Sequence, residues 1–229
     1  MSKQVVLITG AGRGIGRAVA VEMARRGWSL ALVARTEQEL QETAELCGGG
    51  LVLPGDVADP AVARDSVKRT IERFGRLDAL VNNAGFASMQ PIEQTSDLVW
   101  RTTIDTNLTA TMLFCREAWV HLERTRGAIV NVSSEATRDP LPGFTAYAAA
   151  KAGVNGLSLA LAREGAVDGI RVHTVSPGSS ETAMFRSLVS EQQWPRDKTL
   201  DPADVACVIV DCIDGPLRHT SGEIIYLKR

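Results

Sequence analysis

The sequence predicts an α/β fold: a doubly wound, mostly parallel seven-stranded sheet with helices on both faces, in a single domain over residues 1–229. Three observations predict it. Short β-branched runs alternate along the whole chain with stretches of helical periodicity, the order produced by repeated βαβ units. A glycine-rich turn, TGAGRGIG, follows the first of those runs directly. Polar clusters recur at the carboxyl ends of the expected strands, which is where ligands bind in sheets of this kind.

Residues 5–9, VVLIT, form the first expected strand, and 14–27 place Ile15, Val19 and Met23 at helical spacing. Residues 30–34 are the second strand and 36–47 a polar helix, ended by a loop at Gly48, Gly49 and Gly50. Strand three is 51–54. Asp59 as N-cap and Pro60 at the first helical position start a helix over 60–74, which leads to strand four at 79–81 and then NNAG. A long helix over 96–124 precedes the strand in GAIVNVSS, and another over 147–167 precedes the strand in IRVHTVSPG. A short helix over 182–189 follows. Asp201 and Pro202 start the last helix, and GEIIYL is the final strand.

A chain of 229 residues can bury a substantial core without disulfides or metal. Its 25 basic and 27 acidic side chains leave a net charge of −2 and no basic block, which excludes nucleic acid and an anionic membrane as expected partners. Cys47, Cys115, Cys207 and Cys212 lack C-x-x-C spacing and read as reduced, mostly buried thiols. No uninterrupted apolar stretch approaches about 18 residues, so the chain is expected to be soluble and cytoplasmic.

The glycine turn fits neither common phosphate loop. G-x-G-x-x-G started by Gly10 and Gly12 would need its third glycine at Ile15, and a Walker loop would need a closing Lys and Ser or Thr. What remains is G-x-x-x-G-x-G on Gly10, Gly14 and Gly16. Glycines there permit close backbone approach to a pyrophosphate at a helix N-terminus.

Together with NNAG at 82–85, Ser134, and Tyr147 with Lys151, the pattern TGAGRGIG resembles the short-chain dehydrogenase/reductase family over nearly the whole chain. The resemblance implies a Rossmann fold whose loop, Gly10, Gly14, Ile15 and Gly16, carries a dinucleotide's pyrophosphate. Asp56, with Val57, matches the adenine contact; its plainer reading is a turn cap. Asn83, Ala84 and Gly85 match the segment beside the cofactor. Strand two ends with Ala34 where an NAD-specific acid would stand, and Arg35 and Arg13 can pair with a 2′-phosphate, so the expected cofactor is NADP(H). Glu37 adds an opposing charge nearby.

Tyr147 and Lys151 are four apart on one helix face, thirteen residues after Ser134. Reducing a carbonyl builds charge on its oxygen, which requires a hydrogen-bond donor and then a proton. By resemblance Tyr147 is the acid-base group, Ser134 binds the substrate oxygen, Lys151 lowers the Tyr147 pKa and contacts the ribose, and Asn107 holds a water that relays protons to Lys151. Pro177 and Gly178 shape the turn beside the nicotinamide. Thr182 binds its carboxamide or a phosphate, caps the next helix, or does both. No metal is expected.

The expected activity is NADPH-dependent reduction of a ketone, aldehyde or 3-oxoacyl thioester, as in 3-oxoacyl-[acyl-carrier-protein] reductases. An NADP sensor without turnover and an NAD-linked alcohol dehydrogenase are the alternatives. The chain departs from the family pattern in three places. It lacks the glycine pair and tail after the last strand, so a homodimer through the two long helices is expected and a tetramer remains open. The 182–201 segment is short, which predicts a small lid. Glu135 directly follows the serine and is expected to face solvent. Leu141 and Phe144 fit either a pocket wall or the core.

Overall fold

A computed structural model describes residues 3–229. Strand β1 (Val5–Thr9) is buried at all five positions, because helices cover both faces of the sheet. Its side chains divide by parity: Val6 and Ile8 enter one core, Val5 and Leu7 the other. The remaining strands are β2 (Ser29–Ala34), β3 (Leu51–Pro54), β4 (Ala79–Asn82), β5 (Ala128–Val132), β6 (Arg171–Pro177) and β7 (Ile224–Leu227). They lie in the order β3-β2-β1-β4-β5-β6-β7, and every neighbouring pair is parallel rather than mostly so. Strand order reverses direction between β1 and β4, opening a crevice at their carboxyl ends.

Helices α1 (Gly14–Arg25), α2 (Glu37–Leu46), α3 (Pro60–Phe74), α4 (Asp97–Ile104), α5 (Ala110–Thr125), α6 (Thr145–Asp168), α7 (Ala183–Arg186) and α8 (Pro202–Asp214) supply the two outer layers. One core joins β1 and β2 to Val19 and Met23 of α1 and to Val205 and Ile209 of α8. The other joins them to Val67 of α3, Phe114 of α5 and Ala162 of α6. Truncating a fully buried residue such as Leu7 or Phe114 to Ala costs about 2–5 kcal/mol by lost transfer energy and a cavity. Asp59 and Asp201 accept hydrogen bonds from Ala61 N and Ala203 N at 2.8 Å, and a proline follows each, so both expected helix starts are in place.

The helical stretch expected over 96–124 runs without a break from Asp97 to Thr125, with a π-helical turn, Asp105–Thr109, between α4 and α5 whose extra residue leaves the periodicity of its flanks intact. Two expectations are corrected. The short helix is only Ala183–Arg186. Of the four thiols, Cys115 and Cys212 are buried, Cys47 is half-buried and Cys207 is exposed on the outer face of α8. Among the described residues, no helix is long and apolar enough to cross a membrane.

Candidate active site

Beyond the carboxyl ends of the strands runs one cleft of about 1030 Å³, lined from the glycine turn to the start of α6. At its first end Gly10 and Gly14 adopt φ of +66° and +55°, conformations that L side chains rarely take. Gly16 is buried under the turn, outside the cleft lining. A Cβ there would collide with the Gly10 carbonyl and the Asn83 amide, so its role is close packing of α1 against the loop. Asn83 donates from Nδ2 to the Thr9 and Gly10 carbonyls at 3.1 and 3.3 Å, which ties the end of β4 to the turn. The residue before α1, Arg13, makes no side-chain cap, so the first N–H groups of the helix are left for a ligand. Arg17 and Thr43 were not singled out from sequence. Arg17 Nε donates to the Gly12 carbonyl at 2.8 Å and to Thr43 Oγ1 at 3.0 Å, holding the loop to α2.

Arg35, exposed after β2, and Arg13 line the same stretch with Ala34, Asp56 and Val57. Asp56 Oδ1 accepts from Ala58 N at 3.0 Å, so the turn-cap reading describes its hydrogen bond while the residue also lines the cleft. The opposing charge in this stretch is Glu39 rather than Glu37: it lines the cleft, and its Oε1 lies 3.9 Å from Arg13 Nη1. Helical spacing explains this. Position 39 lies on the face of α2 turned toward the loop, whereas Glu37 is exposed at the first turn.

At the other end Ser134, Tyr147 and Lys151 converge on one wall. Lys151 Nζ donates to the Val132 carbonyl at 2.8 Å and lies 5.7 Å from the Tyr147 ring centroid. Burial pushes the Tyr147 phenol above its ordinary pKa, with the Ser134 hydroxyl pulling partly the other way. Burial also lowers Lys151 to about 8. The causes of the Tyr147 shift are removal from water and the Ser134 hydroxyl, with Lys151 not among them. Ser133 donates to the Lys151 carbonyl at 3.2 Å and serves the scaffold.

Asn107 is fully buried within the π turn, behind the cleft wall rather than in its lining, and does not face solvent. Its Nδ2 donates to the Phe86 and Thr103 carbonyls at 2.7 and 2.8 Å, and its Oδ1 accepts from Phe86 N at 3.3 Å. It thus fastens the Gly85–Phe86 backbone. A Cβ on Gly85 would lie 3.0 Å from Asn107 Oδ1 and 3.8 Å from Lys151 Nζ, so this glycine separates the two side chains.

Pro177, Gly178 and Thr182 close the floor. Thr182 Oγ1 accepts from Phe185 N at 3.2 Å, capping α7, while its methyl faces Gly14. Phe144 and Leu141 pack with Tyr147, Ala136, Met89 and Leu188 and also line the cleft, so the wall and core readings coincide. Glu135 corrects an expectation: its side chain is only 11% exposed, and Lys228 Nζ lies 2.9 Å from Oε1. Lys228 and Arg229, which carry no sequence motif, also line the cleft.

The chain fits a dinucleotide on its own geometry. Positive-φ glycines and open N–H groups stand at one end, cations lie beyond them, and a donor triad faces them across a cleft of suitable volume.

Residues 4–193 match the family described as short chain dehydrogenase. The 3-oxoacyl-[acyl-carrier-protein] reductase FabG of Escherichia coli is 36% identical over 235 residues, covering 98% of this chain and 96% of its own. The (2S)-[(R)-hydroxy(phenyl)methyl]succinyl-CoA dehydrogenase subunit BbsD of Thauera aromatica is 33% identical over 238 residues, covering 99% and 96%. Among solved structures, a 3-ketoacyl-(acyl-carrier-protein) reductase from Brucella melitensis, complexed with NADH, superposes with a TM-score of 0.93 at 26% identity, covering 99% and 97%.

Proposed function

The chain belongs to the short chain dehydrogenase family, and from that premise we propose that it is an NADP(H)-dependent reductase converting a ketone, aldehyde or 3-oxoacyl thioester to an alcohol. Members of this family are oxidoreductases that bind a nicotinamide cofactor and act between carbonyl and alcohol. The observation that carries the finer reading is the convergence of Ser134, Tyr147 and Lys151 on one wall of a cleft whose far end holds Arg13 and Arg35.

When bound, the nicotinamide supplies the hydride. Ser134 and Tyr147 donate hydrogen bonds to the carbonyl oxygen, where negative charge develops. The raised pKa keeps Tyr147 protonated, which suits a general acid in the reducing direction. Lys151, at about 8, is mostly cationic at neutral pH and stabilises the tyrosinate left after proton transfer. Asn107 holds the Gly85–Phe86 turn against this wall. The apolar surface of Leu141, Phe144 and Leu188 favours an acyl or aryl substituent beside the carbonyl.

Specificity for NADP rests on Arg35 and Arg13 and on the absence of an acid at Ala34; Glu39 competes for Arg13 when no phosphate is present. The proposal includes a homodimer, supported by Leu98 and Trp100 on α4 and Val120 on α5, which expose large apolar side chains. It places the protein in the cytoplasm.

The test is fluorescence titration with NADPH and NADH, followed by oxidation against a panel of ketones, aldehydes and a 3-oxoacyl thioester. Tighter NADPH binding with turnover is the expected result. Arg35→Ala weakens NADPH roughly tenfold and leaves NADH nearly unchanged, since only the former offers a charge-assisted bond. Binding without turnover across the panel favours a sensor, and preference for NADH removes Arg13 and Arg35 from cofactor choice.

A further inference from the structure

The serine that faces the substrate sits on a short loop that packs through Ala136 against Phe144 and Tyr147 and is also joined to the end of β7. Ser134 precedes a single 3₁₀ turn, Glu135–Thr137, and its hydroxyl accepts from Ala136 N at 3.1 Å. The orientation of that hydroxyl therefore follows the turn. Thr137 Oγ1 donates to the Ser134 carbonyl at 3.0 Å and lies 3.1 Å from the Tyr226 hydroxyl. A threonine hydroxyl has one proton to give. With it committed to Ser134, Tyr226 is the donor to Thr137, and a relay runs from β7 to the backbone of the serine.

Two further contacts join the same elements. The Arg138 guanidinium stacks over the Tyr226 ring, 4.3 Å from its centroid. Glu135 has both carboxylate oxygens buried, Oε2 has no hydrogen-bond partner among the described residues, and Lys228 Nζ stands 2.9 Å from Oε1. A buried carboxylate needs a countercharge. Lys228, 63% exposed, supplies it from the strand end. β7 pairs with its one strand neighbour, β6, continued by the hydrogen bond from Gly178 N to the Leu227 carbonyl at 2.9 Å, and its Ile225 and Leu227 pack against the core.

We propose that the end of β7 clamps the serine loop: Lys228 through Glu135, and Tyr226 through Thr137 and Arg138, are positioning residues that set the Ser134 hydroxyl for reaction. The consequence for catalysis rests on the reductase reading; the clamp as a constraint on the loop does not. Donors at a reacting centre lose much of their effect when displaced by about 1 Å, so loosening this strand end acts on turnover more than on cofactor binding.

The experiment combines amide hydrogen exchange over residues 133–139 with steady-state kinetics on the full chain. Lys228→Met keeps the stem and removes the charge. It is expected to speed exchange in that segment and lower kcat, each about tenfold, with NADPH affinity unchanged, while Lys228→Arg restores both. Tyr226→Phe keeps the ring beneath Arg138, loses only the relay proton, and lowers kcat about threefold. Unchanged exchange in Lys228→Met overturns the clamp, and a loss confined to KM assigns Lys228 to substrate contact instead. If the wild-type protein reduces no carbonyl, the reductase reading fails by itself and the exchange measurement still decides the clamp.

Discussion

Tyr147 and Lys151 share a helix face and a buried wall, and burial favours the uncharged form of each. The two shifts have different consequences for reduction. A phenol held above its ordinary pKa stays protonated through neutral pH, whereas a lysine at about 8 begins to lose its charge just above neutrality. The rate of reduction is therefore expected to fall as pH rises through about 8, while Tyr147 still carries its proton. A flat profile of kcat over about pH 7 to 9 contradicts this assignment. Tyr147→Phe should lower turnover at least about a hundredfold and leave NADPH binding nearly intact, a pair of results read from kinetics and fluorescence titration. These residue types and their spacing were legible in the chain. The sense of the tyrosine shift was not, because desolvation depends on what packs around Tyr147 from Phe144, Ala136 and Leu188.

Elements position these groups through a few close approaches. Gly16 illustrates one: it lies in the first turn of α1, outside the cleft lining, and leaves no space for a methyl against Gly10 and Asn83. Gly16→Ala is expected to destabilise the fold by about 1–3 kcal/mol through overpacking and to displace the β1–α1 loop, measured by urea unfolding and by weakened NADPH binding. Equal stability would show that the loop yields freely. Strand β6 carries a second constraint. His173 is buried, with Nδ1 paired to Thr220 Oγ1 at 3.2 Å and Nε2 without a hydrogen-bond partner among the described residues, and burial together with Arg171 lowers its pKa to about 4. The unfolded chain protonates near 6.5 and the folded one only near 4. Stability from this group is thus fully present above the higher value and is lost as pH falls toward the lower, on the order of 3 kcal/mol. His173→Gln should flatten that part of the stability profile in urea unfolding at several pH values. The π turn that buries Asn107 shows the limit of periodicity: one extra residue shifts the helix without erasing the apolar pattern on either side.

Across the whole molecule, alternation of strands and helices predicts a doubly wound sheet, and the parallel order with its reversal between β1 and β4 places every polar cluster at one end. Outside the cleft, the exposed Leu98, 73% accessible, and Trp100 on α4 and Val120 on α5 bear on assembly. Light scattering is expected to give the mass of a dimer, and Leu98→Glu with Val120→Glu to give a monomer, because charges on a buried interface are costly. A monomeric wild-type mass rules out the dimer. What the sequence determined by itself was local and periodic: strand and helix order, the Asp59 and Asp201 caps, the Gly10-Gly14-Gly16 turn, and the Ser134, Tyr147, Lys151 set. Each is written within a few residues or carried by a motif. Tertiary structure alone decided that Glu39 rather than Glu37 meets Arg13, that Asn107 faces the Phe86 backbone, and that Glu135 is buried against Lys228. These pairings join residues from about 20 to more than 90 positions apart, and their partners are chosen by how helices and strand ends pack. No local pattern encodes that choice.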